Sequence, residues 1–219
     1  MYAANLLTND FEPLVISVSG SEALSVMGDN YVQHMPIVSN FKLLGIISVT
    51  DIMDRGLKKS IESYEHTLCN TRAKESDHIF DIIKLLVENK LTLIPVVDDD
   101  NNYLGVITLP KLLYYFSENI SFEEKGSIVV LEMTKSDYIL SEIVRILESE
   151  GANLLMSFIS GSTDSSKILI HLKIDQTDIL RIITALERHE FKIAAAFTAN
   201  DIMGDFRDRY ESLMHFLNI

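Results

Sequence analysis

The chain has 219 residues, a length that predicts two modest domains and excludes a large multidomain assembly. Hydrophobic residues make up 47% and charged residues 23%, which is typical of a folded globular protein and excludes a disordered or low-complexity chain. The 19 basic residues against 32 acidic ones give a net charge of -13, which disfavours binding to nucleic acid and to anionic membrane surfaces.

The first half of the chain repeats one order of predicted elements. Each copy begins with apolar residues at helical spacing. Pro36 follows Ala23 by 13 positions, and Pro95 follows Ile82 by the same 13. In each copy a strand is predicted to begin at the proline, followed by a polar turn, a strand that begins at a glycine, and a second helix. Each copy of about 60 residues is therefore predicted as α-β-β-α, and two copies of this size can share one core.

A short motif ends the second strand of each copy. The sequence of 45–51 is Gly-Ile-Ile-Ser-Val-Thr-Asp, and that of 105–111 is Gly-Val-Ile-Thr-Leu-Pro-Lys. The pattern resembles a tandem pair of CBS domains, whose signature is a Pro-led strand followed by Gly, two apolar residues, Ser or Thr, two variable residues and Asp. The first copy matches this signature in full, and the second departs from it at Lys111. The resemblance covers about residues 1–120.

CBS pairs bind adenosine-containing nucleotides in clefts between their repeats, and the resemblance implies a similar ligand here: AMP, ADP, ATP or S-adenosylmethionine. A carboxylate can accept both ribose hydroxyls, a hydroxyl can reach ribose or phosphate, and apolar residues can enclose adenine. The residues that the resemblance assigns to the first cleft are Ile16, Met35, Pro36, Ser48 and Asp51. Those that it assigns to the second cleft are Ile94, Thr108 and Lys111.

Two properties of these motifs bear on the ligand. Lys111 cannot accept a hydrogen bond from ribose, so we predict one competent nucleotide site in the pair and not two. The tetrapeptide from Ser48 to Asp51 also matches a capping box, in which both side chains satisfy free amides at the start of a helix. The sequence leaves open whether Asp51 holds a ligand or only caps the helix.

From Gly126 the pattern changes to β-α-β-β-α-β, the ferredoxin-like order. The predicted strands cover 127–133, 153–160, 167–175 and 191–197, and the predicted helices cover 138–150 and 177–189. A segment of about 70 residues in this order resembles an ACT domain, a module that often senses amino acids and pairs edge to edge. The loop 134–138 lacks the Asp-x-Pro-Gly pattern typical of ACT ligand sites, so we favour a dimerising or transmitting role. A final amphipathic helix is predicted over 205–217.

No pattern typical of an enzyme occurs in the sequence. The six histidines lack metal-binding spacing, the acidic turn 98–102 lacks the Gly and Glu of a calcium loop, and Walker and serine-hydrolase motifs are missing. The single cysteine, Cys69, excludes an intrachain disulfide. Since neither a signal peptide nor an apolar run of about 18 residues is found, we expect a cytoplasmic, non-enzymatic protein without a membrane or nucleic-acid partner.

These observations predict an α/β (α+β) protein with CBS domain 1 at 1–59, CBS domain 2 at 60–125, an ACT-like domain at 126–198 and a C-terminal helix at 199–219. The resemblance implies a regulatory homodimer that senses an adenosine nucleotide and acts on an unidentified protein. It implies no required cofactor, and Mg²⁺ is expected only together with a bound nucleotide. Two alternatives stay open: a structural dimer that binds no ligand, and an amino-acid sensor that uses the ACT-like domain near Ser136 and Asp137.

Overall fold

The computed structural model describes residues 2–8, 12–119 and 124–198. The chain divides into two compact units, Met1–Phe116 and Ser117–Ile219. Each unit has hydrophobic clusters of its own. The helix expected over 205–217 lies outside the described residues.

The first unit contains the predicted α-β-β-α order twice. The first repeat consists of α1 (Gly20–Asp29), β1 (His34–Ser39), β2 (Lys42–Ser48) and α2 (Val49–Arg55). The second repeat consists of β3 (Ala73–Lys74), α3 (Ile79–Glu88), β4 (Leu93–Val97), β5 (Tyr103–Thr108) and α4 (Leu109–Asn119). The strands β1 and β2 form one antiparallel hairpin, β4 and β5 form another, and the two-residue β3 pairs with β4 in parallel. Short 3₁₀ helices cover Ala3–Leu6 and Ile61–Thr67.

The prolines lie inside the strands, so the prediction that each strand begins at its proline is wrong. Pro36 and Pro95 are each the third residue of a strand, since β1 begins at His34 and β4 at Leu93. A proline lacks only the amide hydrogen, and its carbonyl still accepts, as the Leu14 amide shows by donating to Pro36 O at 2.9 Å. Pairing therefore extends two residues before each proline.

Gly45 lies in the middle of β2 and not at its start, beside a β-bulge that follows Ile37. Its backbone has a φ of 155°, and a Cβ atom there would lie 2.7 Å from Leu68 Cβ and 3.1 Å from the Cys69 carbonyl oxygen. The crowding arises because Ile46 and Cys69 exchange backbone hydrogen bonds of 2.9 and 3.0 Å. Glycine is required here because a neighbouring backbone segment approaches closely.

We expect Gly45→Ala to lower the free energy of unfolding by roughly 2–3 kcal/mol, through the clash and the unfavourable φ together. Gly28 in α1 is the matched control, since no heavy atom other than those of the adjoining residues and the backbone of its own helix lies within 4 Å of the Cβ position there. Gly28→Ala is expected to be neutral or to stabilise by about 0.5–1 kcal/mol. Urea unfolding followed by circular dichroism measures both changes. Equal effects of the two substitutions would contradict the claim that the close backbone approach at position 45 requires glycine.

Each repeat has a hydrophobic cluster of its own, and residues from the first half of the pair also contribute to the cluster of the second repeat. Met27 lies in the cluster of the first repeat and Ile82 in that of the second. Three residues cross over: Ala3 and Leu6 from the N-terminal segment and Ile46 from β2 all lie in the second cluster. The N-terminal segment and β2 therefore bind the first repeat to the second by apolar burial.

The second unit has the predicted β-α-β-β-α-β order, with boundaries that differ from the predicted ones by at most three residues. Its elements are β6 (Ser127–Thr134), α5 (Leu140–Ser149), β7 (Leu154–Gly161), β8 (Lys167–Ile174), α6 (Leu180–Arg188) and β9 (Lys192–Phe197). The sheet is antiparallel in the order β7-β8-β6-β9. The predicted alternation of β8 is confirmed, because Ile170, Leu172 and Ile174 are all fully buried in the core cluster. The α/β fold class is therefore confirmed.

No helix within the described ranges is both long enough and apolar enough to cross a lipid bilayer.

Candidate functional site

Ser48 and Asp51 lie where β2 ends and α2 begins, and they form a complete capping box. Ser48 Oγ accepts a hydrogen bond from the Asp51 amide at 3.1 Å. In return, Asp51 Oδ2 accepts from the Ser48 amide at 3.0 Å and from the Ser48 hydroxyl. The Asp51 side chain is half-buried. The helix cap is thus present, and it engages one of the two carboxylate oxygens of Asp51.

The corresponding box in the second repeat is incomplete. Thr108 Oγ1 accepts a hydrogen bond from the Lys111 amide at 3.3 Å, which reproduces the first half of the arrangement at Ser48. An ammonium group cannot accept the return bond from the Thr108 amide. Lys111 is exposed on α4. The two pseudo-equivalent helix starts therefore present opposite charges, a carboxylate in the first repeat and an ammonium in the second.

The two repeats meet at a polar contact, the His34 junction, formed by Gln33, His34 and Thr92. His34 Nδ1 accepts a hydrogen bond from the Thr92 amide at 3.2 Å and lies 3.0 Å from Thr92 Oγ1. The Gln33 amide donates to Thr92 Oγ1 at 3.3 Å. Burial lowers the pKa of His34, while the Asp51 carboxylate acts in the opposite direction. The junction thus connects the Asp51 end of the first repeat to the second repeat.

An open groove of about 450 Å³ lies between the repeats. Its lining residues come from the end of α1 and from the second repeat: Asn30, Tyr31, Val32, Thr92, Thr108, Leu109 and Pro110. Tyr31 has a left-handed backbone with φ of 54°, and its side chain is 96% exposed. The volume lies within the range of small-molecule sites. Thr92 and the capping residue Thr108 are thus brought to one groove.

The apolar residues assigned to the clefts lie in different surroundings. Met35 and Ile94 have no exposed surface and belong to the two core clusters, so their side chains do not line an open cleft. Pro36 is also buried. Ile16 is half-buried in a turn, where its carbonyl accepts a hydrogen bond from Ser60 Oγ at 2.9 Å.

Sequence reasoning missed five residues at the contact between the repeats: Asn30, Tyr31, Gln33, His34 and Thr92. A signal for two of them existed in the repeat itself. Gln33 and Thr92 are 59 positions apart, the same offset as Pro36 and Pro95, so both are the polar residue that stands three positions before the proline. That these two equivalent positions contact each other could not be predicted from the offset.

The second unit has a cavity of about 380 Å³ next to the loop in which Ser136 and Asp137 lie. Its lining residues carry both signs of charge: Glu132, Met133, Thr134, Asp137, Glu142, Lys167, His189, Glu190, Phe191 and Lys192. Glu132 Oε1 accepts hydrogen bonds from Lys192 at 2.7 Å and Lys167 at 2.9 Å, and these bonds lower the pKa of its carboxyl. Within the described part of the chain, no group of His, Cys, Asp and Glu side chains could hold a metal ion.

Curated relatives match the chain over a small part of their own length. The homoserine O-acetyltransferase of Methanobrevibacter ruminantium is 28% identical over 116 residues, which is 52% of this chain and 24% of that protein. The chain spans 33%, 24% and 19% of three such relatives.

Solved structures match over about half of the chain. A CBS domain pair/ACT domain protein of Thermotoga maritima is 23% identical, with 54% of this chain and 98% of that chain covered and a TM-score of 0.48. A CBS domain pair in complex with 5′-methylthioadenosine and S-adenosyl-L-methionine is 24% identical, with 54% and 97% covered and a TM-score of 0.44. The family model for the CBS domain matches residues 5–58 and 72–118, so this part of the chain is a tandem pair of CBS domains.

Proposed function

We propose that the CBS pair binds an adenosine nucleotide at Asp51, in the first of the two clefts that the family resemblance implies, and that the chain is a regulatory sensor and not an enzyme. The observation that supports this most directly is the carboxylate of Asp51. Among the described residues its hydrogen bonds all fall on Oδ2, which leaves Oδ1 to accept a ligand hydroxyl. Capping and ligand binding are therefore compatible at this residue.

A carboxylate in this position suits a ribose. It is an acceptor only, and the vicinal ribose hydroxyls are two adjacent donors, so the pair makes charge-assisted hydrogen bonds. The net charge of -13 opposes anionic ligands at long range, so phosphates need local donors. The proposed ligand stays one of AMP, ADP, ATP and S-adenosylmethionine, with Mg²⁺ as an optional companion.

A thermal-shift panel with these four compounds tests the proposal. A ligand that binds only the folded chain stabilises it by about 2.7 kcal/mol when its concentration is 100 times Kd, so a shift should be readily measurable. The 2′-deoxy form of AMP is the matched control, because it lacks one of the two hydroxyls that Asp51 would hold. An absence of any shift with all four compounds would refute the proposal and favour a structural dimer that binds no ligand.

We further propose that the second unit is an ACT-like domain that pairs with a second copy of the chain and reports ligand binding. A ligand that touches both repeats favours the geometry in which both contact it, and a coupled domain responds to that geometry. Light scattering should give twice the 24.8 kDa mass of one chain. If small-angle scattering gives the same distance between the domains with and without saturating nucleotide, the result contradicts the proposed coupling.

A second candidate function is amino-acid sensing by the second unit, favoured by the mixed-charge cavity beside Asp137. Carboxylates and lysines around one cavity can bind the amino and carboxyl groups of a zwitterion. An amino acid would then raise the melting temperature of the wild type and not of Asp137→Asn. Stabilisation by adenosine compounds alone would argue against this candidate.

Three further predictions stay proposals. They are the cytoplasmic location, the unidentified regulated protein and the domain boundaries at 1–59, 60–125, 126–198 and 199–219. The match to homoserine O-acetyltransferase extends over 116 residues, about a quarter of that enzyme. Similar stretches in several relatives of different function suit a regulatory module that is joined to different partners.

A further inference from the structure

We infer that His34 is a positioning residue of the nucleotide cleft, joining the Asp51 end of the first repeat to the second repeat, and that nucleotide binding requires its neutral form. This inference rests on the proposed function, because it specifies how that same cleft is held together and regulated.

The hydrogen bonds of the imidazole define its protonation state. Nδ1 accepts from the Thr92 amide at 3.2 Å, so in the neutral ring the proton lies on Nε2. A second proton would turn Nδ1 into a donor that faces another donor, the Thr92 amide. The contact between the repeats would then lose its central hydrogen bond and leave that amide without this acceptor.

The charged group that acts on His34 is Asp51. In the β1-β2 hairpin His34 is paired with Ser48, the partner of Asp51 in the capping box, and the field of the Asp51 carboxylate reaches the ring. The groups that Thr92 presents from the second repeat, an amide and a hydroxyl, are neutral. A cationic His34 would therefore attract the same carboxylate that the ribose needs. Both consequences of protonation, the lost contact and the competing charge, weaken ribose binding.

The arrangement occurs in one repeat only. The equivalent of His34, at an offset of 59, is Leu93, which has no exposed surface, and the equivalent of Asp51, the last residue of the motif, is Lys111 at an offset of 60. Neither can reproduce a carboxylate next to a titratable ring. The pH response is thus confined to the cleft of the first repeat, which is also the cleft predicted to bind nucleotide.

The direction of the pH effect follows from burial. Half-burial lowers the pKa of His34 in the folded chain, so the unfolded chain binds the proton more tightly than the folded chain. The stability supplied by the neutral junction is therefore present above the unfolded value of about 6.5 and is lost as the pH falls through the lower folded value. Nucleotide affinity should follow the same course, full near pH 7.5 and reduced near about pH 5.5.

Calorimetric titration with AMP at about pH 7.5 and about pH 5.5 tests the inference. His34→Asn keeps an acceptor near the position of Nδ1 but cannot gain a proton, and it corrects for titration of the AMP phosphate, whose second pKa is about 6. The wild type should lose more affinity at the lower pH than His34→Asn does, by less than about tenfold, because a pKa lowered below about 6.5 leaves part of the His34 ring neutral at that pH. His34→Leu, which copies Leu93, should bind about tenfold more weakly at the higher pH, and His34→Asn should restore most of that loss.

A ligand-free measurement separates the possible failures. In NMR spectra, the Thr92 amide of the wild type should titrate together with the His34 ring, and that of His34→Asn should not. Equal wild-type affinity at both pH values, after the His34→Asn correction, would overturn the inference and leave the proposed function intact. Failure to bind any of AMP, ADP, ATP and S-adenosylmethionine at the higher pH would overturn both. A Thr92 amide signal that does not change as the His34 ring titrates would refute the junction itself.

Discussion

Asp51→Asn is expected to weaken AMP binding by about 10- to 100-fold, the largest effect of any substitution in the first repeat. A hydrogen bond to a charged group contributes about 1.5–3 kcal/mol, and the amide that replaces the carboxylate is neutral and keeps a single acceptor oxygen. The substitution also weakens the capping box, since Asp51 Oδ2 accepts from the Ser48 amide at 3.0 Å. Calorimetric titration at neutral pH measures the affinity, and thermal unfolding measures the accompanying loss of stability.

A second capping box in the same repeat provides the control. At the start of α1, Glu22 Oε2 accepts from the Ser19 amide at 3.0 Å, and Ser19 Oγ accepts from the Glu22 amide at 3.3 Å. Glu22→Gln therefore removes the same kind of charge from the same kind of cap on a different helix. It should reduce stability to a comparable degree and leave AMP affinity unchanged. Parallel losses of affinity in both variants would mean that Asp51 acts only by capping α2.

Lys111→Asp is expected to convert the chain from one nucleotide site to two. The substitution completes the signature of the second repeat and supplies the acceptor that the Thr108 amide lacks. The groove of about 450 Å³ that Thr108 lines is already open. Calorimetry should therefore report a stoichiometry near one in the wild type and near two in the variant, with the second site weaker than the first.

Lys111→Ala separates the two possible reasons for the gain. It removes the ammonium without adding a carboxylate, so its stoichiometry should stay near one. A rise with Lys111→Ala as large as that with Lys111→Asp would show that the lysine blocks the groove and that the carboxylate is unnecessary. Two equal sites in the wild type would contradict the single-site prediction directly.

Much of the fold could be predicted from local patterns. The equal spacing from Ala23 to Pro36 and from Ile82 to Pro95 identified the repeat, because helices and strands of one kind require the same number of residues in each copy. The alternation of β8 identified its buried face in the same way. The strand starts were misplaced because pairing at His34 and Leu93 depends on the opposite strand and not on the proline.

The candidate site was less predictable. Met35 and Ile94 were assigned to the clefts, yet their side chains are fully buried in the cores, because an apolar residue suits a core and a base-binding surface equally well. The Ser48 to Asp51 tetrapeptide was equally ambiguous between cap and ligand site. In the structure one carboxylate oxygen is engaged in the cap, a division that the residue types alone do not specify.

The sequence by itself determined the repeated α-β-β-α units, the ferredoxin-like order that follows them, and the charge difference between Asp51 and Lys111. These properties depend on spacing and residue type within short segments, where periodicity and side-chain chemistry act locally. Only the tertiary structure decided that Ala3 and Leu6 complete the cluster of the second repeat and that His34 meets Thr92 across 58 positions. Contacts between distant segments depend on how whole elements pack together, and no local pattern encodes that geometry.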